Sequence, residues 1–270
     1  MSSFRCRMLA VCAVVVGFLS VGLLSAQGDP ADAGKLKPDP EVPKQLATLK
    51  EIVGDKKMAR DAEGVQVIDL LTSKVAAGLA EKDRKDVAKG LESVFTGGKL
   101  REAASIQLYV AAAAALGTMG NDGSKPLKAA FDNKRFPNKP EWVKLREALL
   151  RNLGKTKDES MVKFLCEEAR RSPEPQLMAA AGEALGNFEG SDQKVRKEIV
   201  NNLLIRYGEL DSRSRVLDSA DIEAQNARDY LAVISDKWNS TLGRLTGQNF
   251  RQYPDWNTWF NKNRAADWSK

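Results

Sequence analysis

The stretch AAAAALGTMGNDGSKPLKAAF, Ala111 to Phe131, holds one complete structural unit: an alanine-rich helix, a Leu-Gly ending, a polar turn and a second amphipathic run. The ending returns downstream. Ala115-Leu116-Gly117 is followed 37 residues later by Asn152-Leu153-Gly154, and 32 residues after that by Ala184-Leu185-Gly186, a period typical of helix-pair repeats. The repeat puts first helices over Leu100–Leu116, Trp142–Leu153 and Leu177–Leu185. Second helices centre on Leu127 and Phe131, on Val162 and Leu165, and on Val195, Ile199 and Leu203. At each ending, leucine is expected to seal the helix into the core while glycine supplies a left-handed C-cap that reverses the chain. Small residues at Ala111–Ala115 and Ala179–Ala181 let neighbouring helices approach closely.

Working outward, helical spacing dominates from about Leu46. Val65, Ile68, Leu71, Val75 and Leu79 step by three and four, as do Val87, Leu91, Val94 and Phe95, with Asp83 placed as an N-cap. No stretch alternates as a half-buried strand does. Thr96-Gly97-Gly98, Gly120-Asn121-Asp122-Gly123 and Glu189-Gly190-Ser191 read as helix-helix turns. Towards the C-terminus, Ile222, Tyr230, Leu231, Ile234, Trp238 and Leu242 predict one long helix over Ala220–Leu245. The tail after it is rich in aromatic residues, and four of the five tryptophans lie from Trp238 onward.

The N-terminus has a different character. Arg5 and Arg7 precede an apolar run, Met8–Leu24, which ends in the small residues Ser25, Ala26 and Gly28. This is the pattern of a secretory signal peptide, with an uncleaved anchor as the alternative. An exported chain, periplasmic or extracellular, follows. Removal of the segment takes away Cys6 and Cys12 and leaves Cys166 as the only thiol, so no intramolecular disulfide can form. About 240 residues can fold by packing alone. Residues 27–44 carry Pro30, Pro38, Pro40 and Pro43 among alternating charges and read as an extended linker.

There is no histidine in the 270 residues. That removes the commonest general base and metal ligand together with Ser-His and Cys-His nucleophile pairs, and one cysteine gives a zinc site nothing to use. Cys166, within Met161-Val162-Lys163-Phe164-Leu165-Cys166, reads as a buried small hydrophobe. Gly117–Lys125 has glycines like a phosphate loop, but it lacks the Gly-Lys-Ser/Thr ending and follows a helix. Asn121-Asp122-Gly123 lacks the later ligands of a calcium loop. Asp158-Glu159 and Glu167-Glu168 read as solvated helix charges, and Lys163 with Glu167 as a surface ion pair. The residues therefore point to no catalytic group, no metal and no cofactor.

Residues 65–210 resemble the HEAT-like repeat family in its short form, related to the phycobilin-lyase type. The clearest units are Ala111–Phe131, Glu147–Leu165 and Ala179–Leu204, and Pro126 stands where that family often opens its second helix with proline. The ending, Leu245-Thr246-Gly247-Gln248-Asn249-Phe250 with Trp256-Asn257-Thr258-Trp259-Phe260, is similar to that of secreted bacterial HEAT-like proteins. The resemblance implies an all-α fold: a short right-handed α-solenoid of helix pairs with a C-terminal long helix and an aromatic cap. The organisation expected is signal peptide 1–26, proline-rich linker 27–44, solenoid 45–210, and C-terminal helix with capping segment 211–270. Trp238, Phe250, Trp256, Trp259 and Phe260 would form the cap, folding over the last exposed apolar face.

The resemblance also implies a non-catalytic scaffold that binds a macromolecule on its solenoid surface. The alternatives are a lyase-type enzyme, or a carbohydrate- or peptide-binding subunit using the C-terminal tryptophans. Between Lys125 and Arg171 there are thirteen basic residues against seven acidic ones. Lys128, Lys163 and Lys197 on the second helices would then line a groove for an acidic protein segment or an anionic envelope polymer, with no nucleic acid as partner and no membrane span after signal removal. The first testable outcome concerns processing: mass spectrometry of the exported protein should find its N-terminus near Gln27 or Asp29, whereas intact Met1–Leu24 in the membrane fraction would mark an anchor.

Overall fold

The computed structural model describes residues 36–218 and 220–268; the segment read as a signal peptide, 1–26, and residues 27–35 of the expected linker lie outside them. Eleven α-helices follow in order: α1 (Glu41–Gly54), α2 (Asp61–Ala77), α3 (Glu81–Thr96), α4 (Gln107–Gly117), α5 (Asn121–Asp132), α6 (Val143–Lys155), α7 (Val162–Arg171), α8 (Pro175–Leu185), α9 (Gln193–Ser214), α10 (Ile222–Thr246) and α11 (Tyr253–Asn263). No strand occurs among the described residues, so the fold is all-α.

The helices pack in two layers. In the first, α2, α4, α6, α8 and α10 each lie against the next; in the second, α1, α3 and α5 do the same, as do α7 and α9. Phe131 of α5 meets Phe164 of α7 edge to face at 5.4 Å, which joins the two parts of the second layer. Consecutive helices pair across the layers, giving a solenoid-like stack. Within the first layer α4 and α8 are apolar nearly all round: in α8, Leu177 to Gly182, Ala184 and Leu185 are buried. Second-layer helices keep one wet face. In α7, Val162, Leu165, Cys166 and Ala169 are buried at i, i+3, i+4 and i+7 while Lys163 and Glu167 are exposed.

The Leu-Gly glycines do different work from the expected C-cap. Gly117 and Gly154 lie within helices and Gly186 has φ −63°, so none is left-handed. Each instead marks where one first-layer helix touches the next. A Cβ on Gly117 would sit 3.0 Å from Asn152 Cβ, one on Gly154 would sit 2.4 Å from the Ala184 carbonyl oxygen, and one on Gly186 would sit 3.1 Å from Thr241 Oγ1. Asn152 and Ala184 both stand two residues before the glycine of their own motif, so the contact repeats with the sequence. The chain reversal comes three residues later, at Gly120 (φ 58°) and at Lys157 (φ 54°).

Other sequence expectations shift for local reasons. Leu100–Ile106 is not helical, because Arg101 turns inward: its Nε and Nη2 bind Asp61 at 3.0 and 2.8 Å, and its backbone N–H donates to Tyr109 Oη at 3.2 Å. Asp83 does not cap α3. It lies in that helix's first turn and accepts from the Asp39 backbone N–H at 2.7 Å, tying α3 to the start of α1. Residues 41–44, read as linker, belong to α1; Pro43 sits in the first turn, where a missing N–H costs nothing, and Val42 is buried. Asn121–Gly123, read as turn, opens α5. Beyond position 210, α10 continues the first layer against α8 and so belongs to the stack.

Two substitutions test this packing by denaturant unfolding. Gly154→Ala forces backbone apart and should cost at least about 1–3 kcal/mol. Lys157→Gly should stabilise by about 1 kcal/mol, because it relieves a non-glycine residue in the left-handed region.

Candidate binding surface

The lone described thiol is not a reactive group. Cys166 is buried, and burial pushes its pKa up to about 12, which leaves essentially no thiolate at neutral pH. Among the described residues no three Cys, Asp or Glu side chains gather to hold a metal ion.

The three lysines proposed for a groove have different surroundings. Lys128 on α5 is half-buried, pairs with Asp132 one turn on, and sits 4.3 Å above the Phe164 ring. Lys163 on α7 is exposed and makes no ion pair with Glu167. Lys197 on α9 donates to the Ala266 carbonyl at 2.6 Å and lies 5.4 Å from the Trp268 ring centre. Lys128 therefore lies where α5 meets α7 and Lys163 stands exposed on α7, whereas Lys197 fastens the C-terminal segment.

A larger concavity opens further along the second layer, between α3, α5 and the short 3-10 turn Glu159–Met161 that precedes α7. It measures about 780 Å³ and is lined by Lys82, Lys85 and Lys89 of α3, Lys125 and Pro126 of α5, and Asp158. Lys82, Lys85 and Lys89 fall on one helical face because they are spaced by three and four. Four carboxylates line it: Asp86 and Glu92 of α3 have no side-chain partner among the described residues, while Asp122 and Asp158 are already engaged. Asp122 pairs with Arg84 at 2.7 Å. Asp158 accepts from Ser124 Oγ at 2.6 Å, from Ser160 Oγ at 2.7 Å and from Ser160 N–H at 3.0 Å. Burial works against the charge on Asp158, but these hydrogen bonds outweigh it, helped by Lys125, and hold the carboxyl below its ordinary value. Lys85 pairs with Glu81, while Lys82 and Lys89 have no partner among the described residues. The sequence signal for this cleft was the i, i+3, i+7 lysine series on α3, which lies upstream of the segment where the basic excess is largest.

The aromatic tail folds back on the end of the stack. Trp238 and Trp256 are fully buried. The Trp238 indole N–H points to the Met178 carbonyl at 3.4 Å, and that of Trp256 donates to Asn239 Oδ1 at 2.8 Å. Phe250 meets Trp256 edge to face at 4.9 Å, and Trp268 lies 5.3 Å from Trp259 and 6.1 Å from Phe260. α11 rests on α9, where Gly208 leaves room for the Tyr253 ring: a Cβ there would sit 2.4 Å from its hydroxyl oxygen. Arg196 holds the Leu245 and Trp268 carbonyls. Trp238, Trp256, Phe260 and Trp268 are buried and offer no open face to a ligand, whereas Phe250 and Trp259 are half-buried.

Comparison of the chain with protein-family models, with curated proteins and with solved structures found no match. No helix among the described residues is long and apolar enough to cross a membrane.

Trp256→Ala should cost about 3–5 kcal/mol, read by thermal or urea unfolding, because it empties a buried ring site and removes the indole N–H donor from Asn239 Oδ1. Asp158 gives a pH signature. A carboxyl whose folded pKa is depressed contributes stability that is complete above its unfolded value and is lost as pH falls through the folded one, so the loss should begin below about pH 4. Asp158→Asn should flatten that part of the stability profile.

Proposed function

We propose that this chain is a non-catalytic exported scaffold of the HEAT-like kind, which binds a macromolecular partner along the second-layer face of its helix stack. The observation that carries the proposal is the cleft between α3 and α5. There Asp122 and Asp158 are consumed by Arg84, Ser124 and Ser160, while Lys82 and Lys89 stay unpaired beside Lys125. Asp86 and Glu92 line the same cleft, so the groups that would meet an acidic protein segment or an anionic envelope polymer are the open ammonium groups of Lys82, Lys89 and Lys125. Pro126 and Ala88 supply an apolar lining for the same ligand. Burial of Cys166 and the lack of histidine support the non-catalytic part of the reading.

The test is capture from the envelope fraction by the immobilised protein, repeated with a Lys82→Ala, Lys89→Ala, Lys125→Ala variant of unchanged melting temperature. Specific capture should fall roughly tenfold or more in the variant and weaken as salt rises, since surface charges are screened over about 10 Å at 0.1 M. Equal capture by both proteins at all salt concentrations would contradict the assignment.

A further inference from the structure

The second concavity of comparable size lies at the other end of the stack, away from the α3–α5 cleft. It measures about 670 Å³ and is formed by one face of α10 and the chain 249–251 that leads into α11. The Leu245–Phe250 ending builds it. Gly247 adopts the left-handed conformation, φ 73°, and closes α10 with its N–H on the Gly243 carbonyl. Thr246 Oγ1 then accepts the Gln248 N–H, and Asn239 Nδ2 holds the Arg251 carbonyl at 2.8 Å. The turn thereby lays Asn249, Phe250 and Arg251 alongside Asp236, Ser240 and Arg244.

The chemistry of this lining is unlike that of the other cleft. Arg244 is bound through two nitrogens to Glu189, at 2.8 and 3.1 Å, so that pair is internally neutral. The remaining charges, Asp236 and Arg251, balance each other. Asp236, Ser240, Asn249 and Arg251 have no side-chain partner among the described residues, although each carries donors or acceptors. Phe250 is only half-buried; it leans on Trp256 and still lines the cavity. A carboxylate that accepts, a guanidinium that donates, an amide and a hydroxyl that do both, and one fixed aromatic ring form a set with no net charge. That set suits a ligand with neighbouring hydroxyls and an apolar C–H face. The volume is within the range of small-ligand sites.

We propose that this cleft binds a neutral saccharide, with Asp236 and Arg251 gripping its hydroxyls and Phe250 under its ring. The buried tryptophans then serve as the support that holds Phe250 and are not themselves the platform. The proposal is independent of the α3–α5 cleft, and its test does not involve a protein partner.

The experiment presents a panel of neutral oligosaccharides (glucose, galactose, mannose and N-acetylglucosamine oligomers) to the isotope-labelled protein and follows amide shifts by NMR. At least one should bind, with shifts concentrated at 235–244 and 249–251 and little dependence on salt. Asp236→Ala and Arg251→Ala, both at exposed positions, should each weaken binding roughly tenfold or more without loss of fold. The Lys82→Ala, Lys89→Ala, Lys125→Ala variant should bind the sugar as the parent protein does. No shift with any member of the panel at about 10 mM, where even weak sites fill, would overturn the proposal. So would binding unchanged in both cleft variants, or binding confined to anionic polymers and abolished by salt.

Discussion

The close approach of successive first-layer helices at glycine sets the terms for the rest of the molecule. At Gly117, Gly154 and Gly186, and again at Gly64 and Gly182, the space a side chain would need is filled by the next helix: Asn152, Ala184, Thr241, Leu108 and Trp238 respectively. Interiors are close-packed, so a methyl group at such a point has nowhere to go. The close approach in the first layer fixes how each helix pair sits on the one before. The second-layer face, its clefts and its exposed lysines inherit their positions from that seam.

Much of this was legible in the sequence, because the fold is built from local periodicity. The helices α2 to α10 follow from apolar residues at three- and four-residue steps, and the repeated Leu-Gly marked the seam correctly as a place of repetition. Its mechanism was not legible. Glycine at a helix end has two physical uses, left-handed capping and close approach, and only the position of the neighbouring helix separates them. Arg101 was hidden for a similar reason: an arginine in a polar stretch reads as solvated until a carboxylate forty residues away, Asp61, is known to face it. The helix α11 was obscured because the polar residues between its aromatic rings break the apolar pattern.

The candidate sites show the same division. Counting charge along the chain located an excess of basic residues but not their partners. The structure engages Lys128 with Asp132 and Phe164, and Lys197 with the C-terminal segment. The lysines left open on α3 lie outside the counted segment, and they become neighbours of α5 only through the stacking of the layers. The polar cleft beside α10 depends on a single left-handed residue, Gly247, turning the chain back along its own helix. In both places the surface proposed for binding is a by-product of how one helix pair is set on the next, as expected for stacked helix pairs.

The seam can be tested directly in solution by nuclear Overhauser spectroscopy on the labelled full-length protein. Strong cross-peaks should link the Gly154 α-protons to the Ala184 methyl, those of Gly117 to Asn152, and those of Gly182 to the Trp238 indole. If those three pairs give no cross-peaks while α4, α6, α8 and α10 remain helical, the helices do not stack at glycine and the account of the fold is wrong.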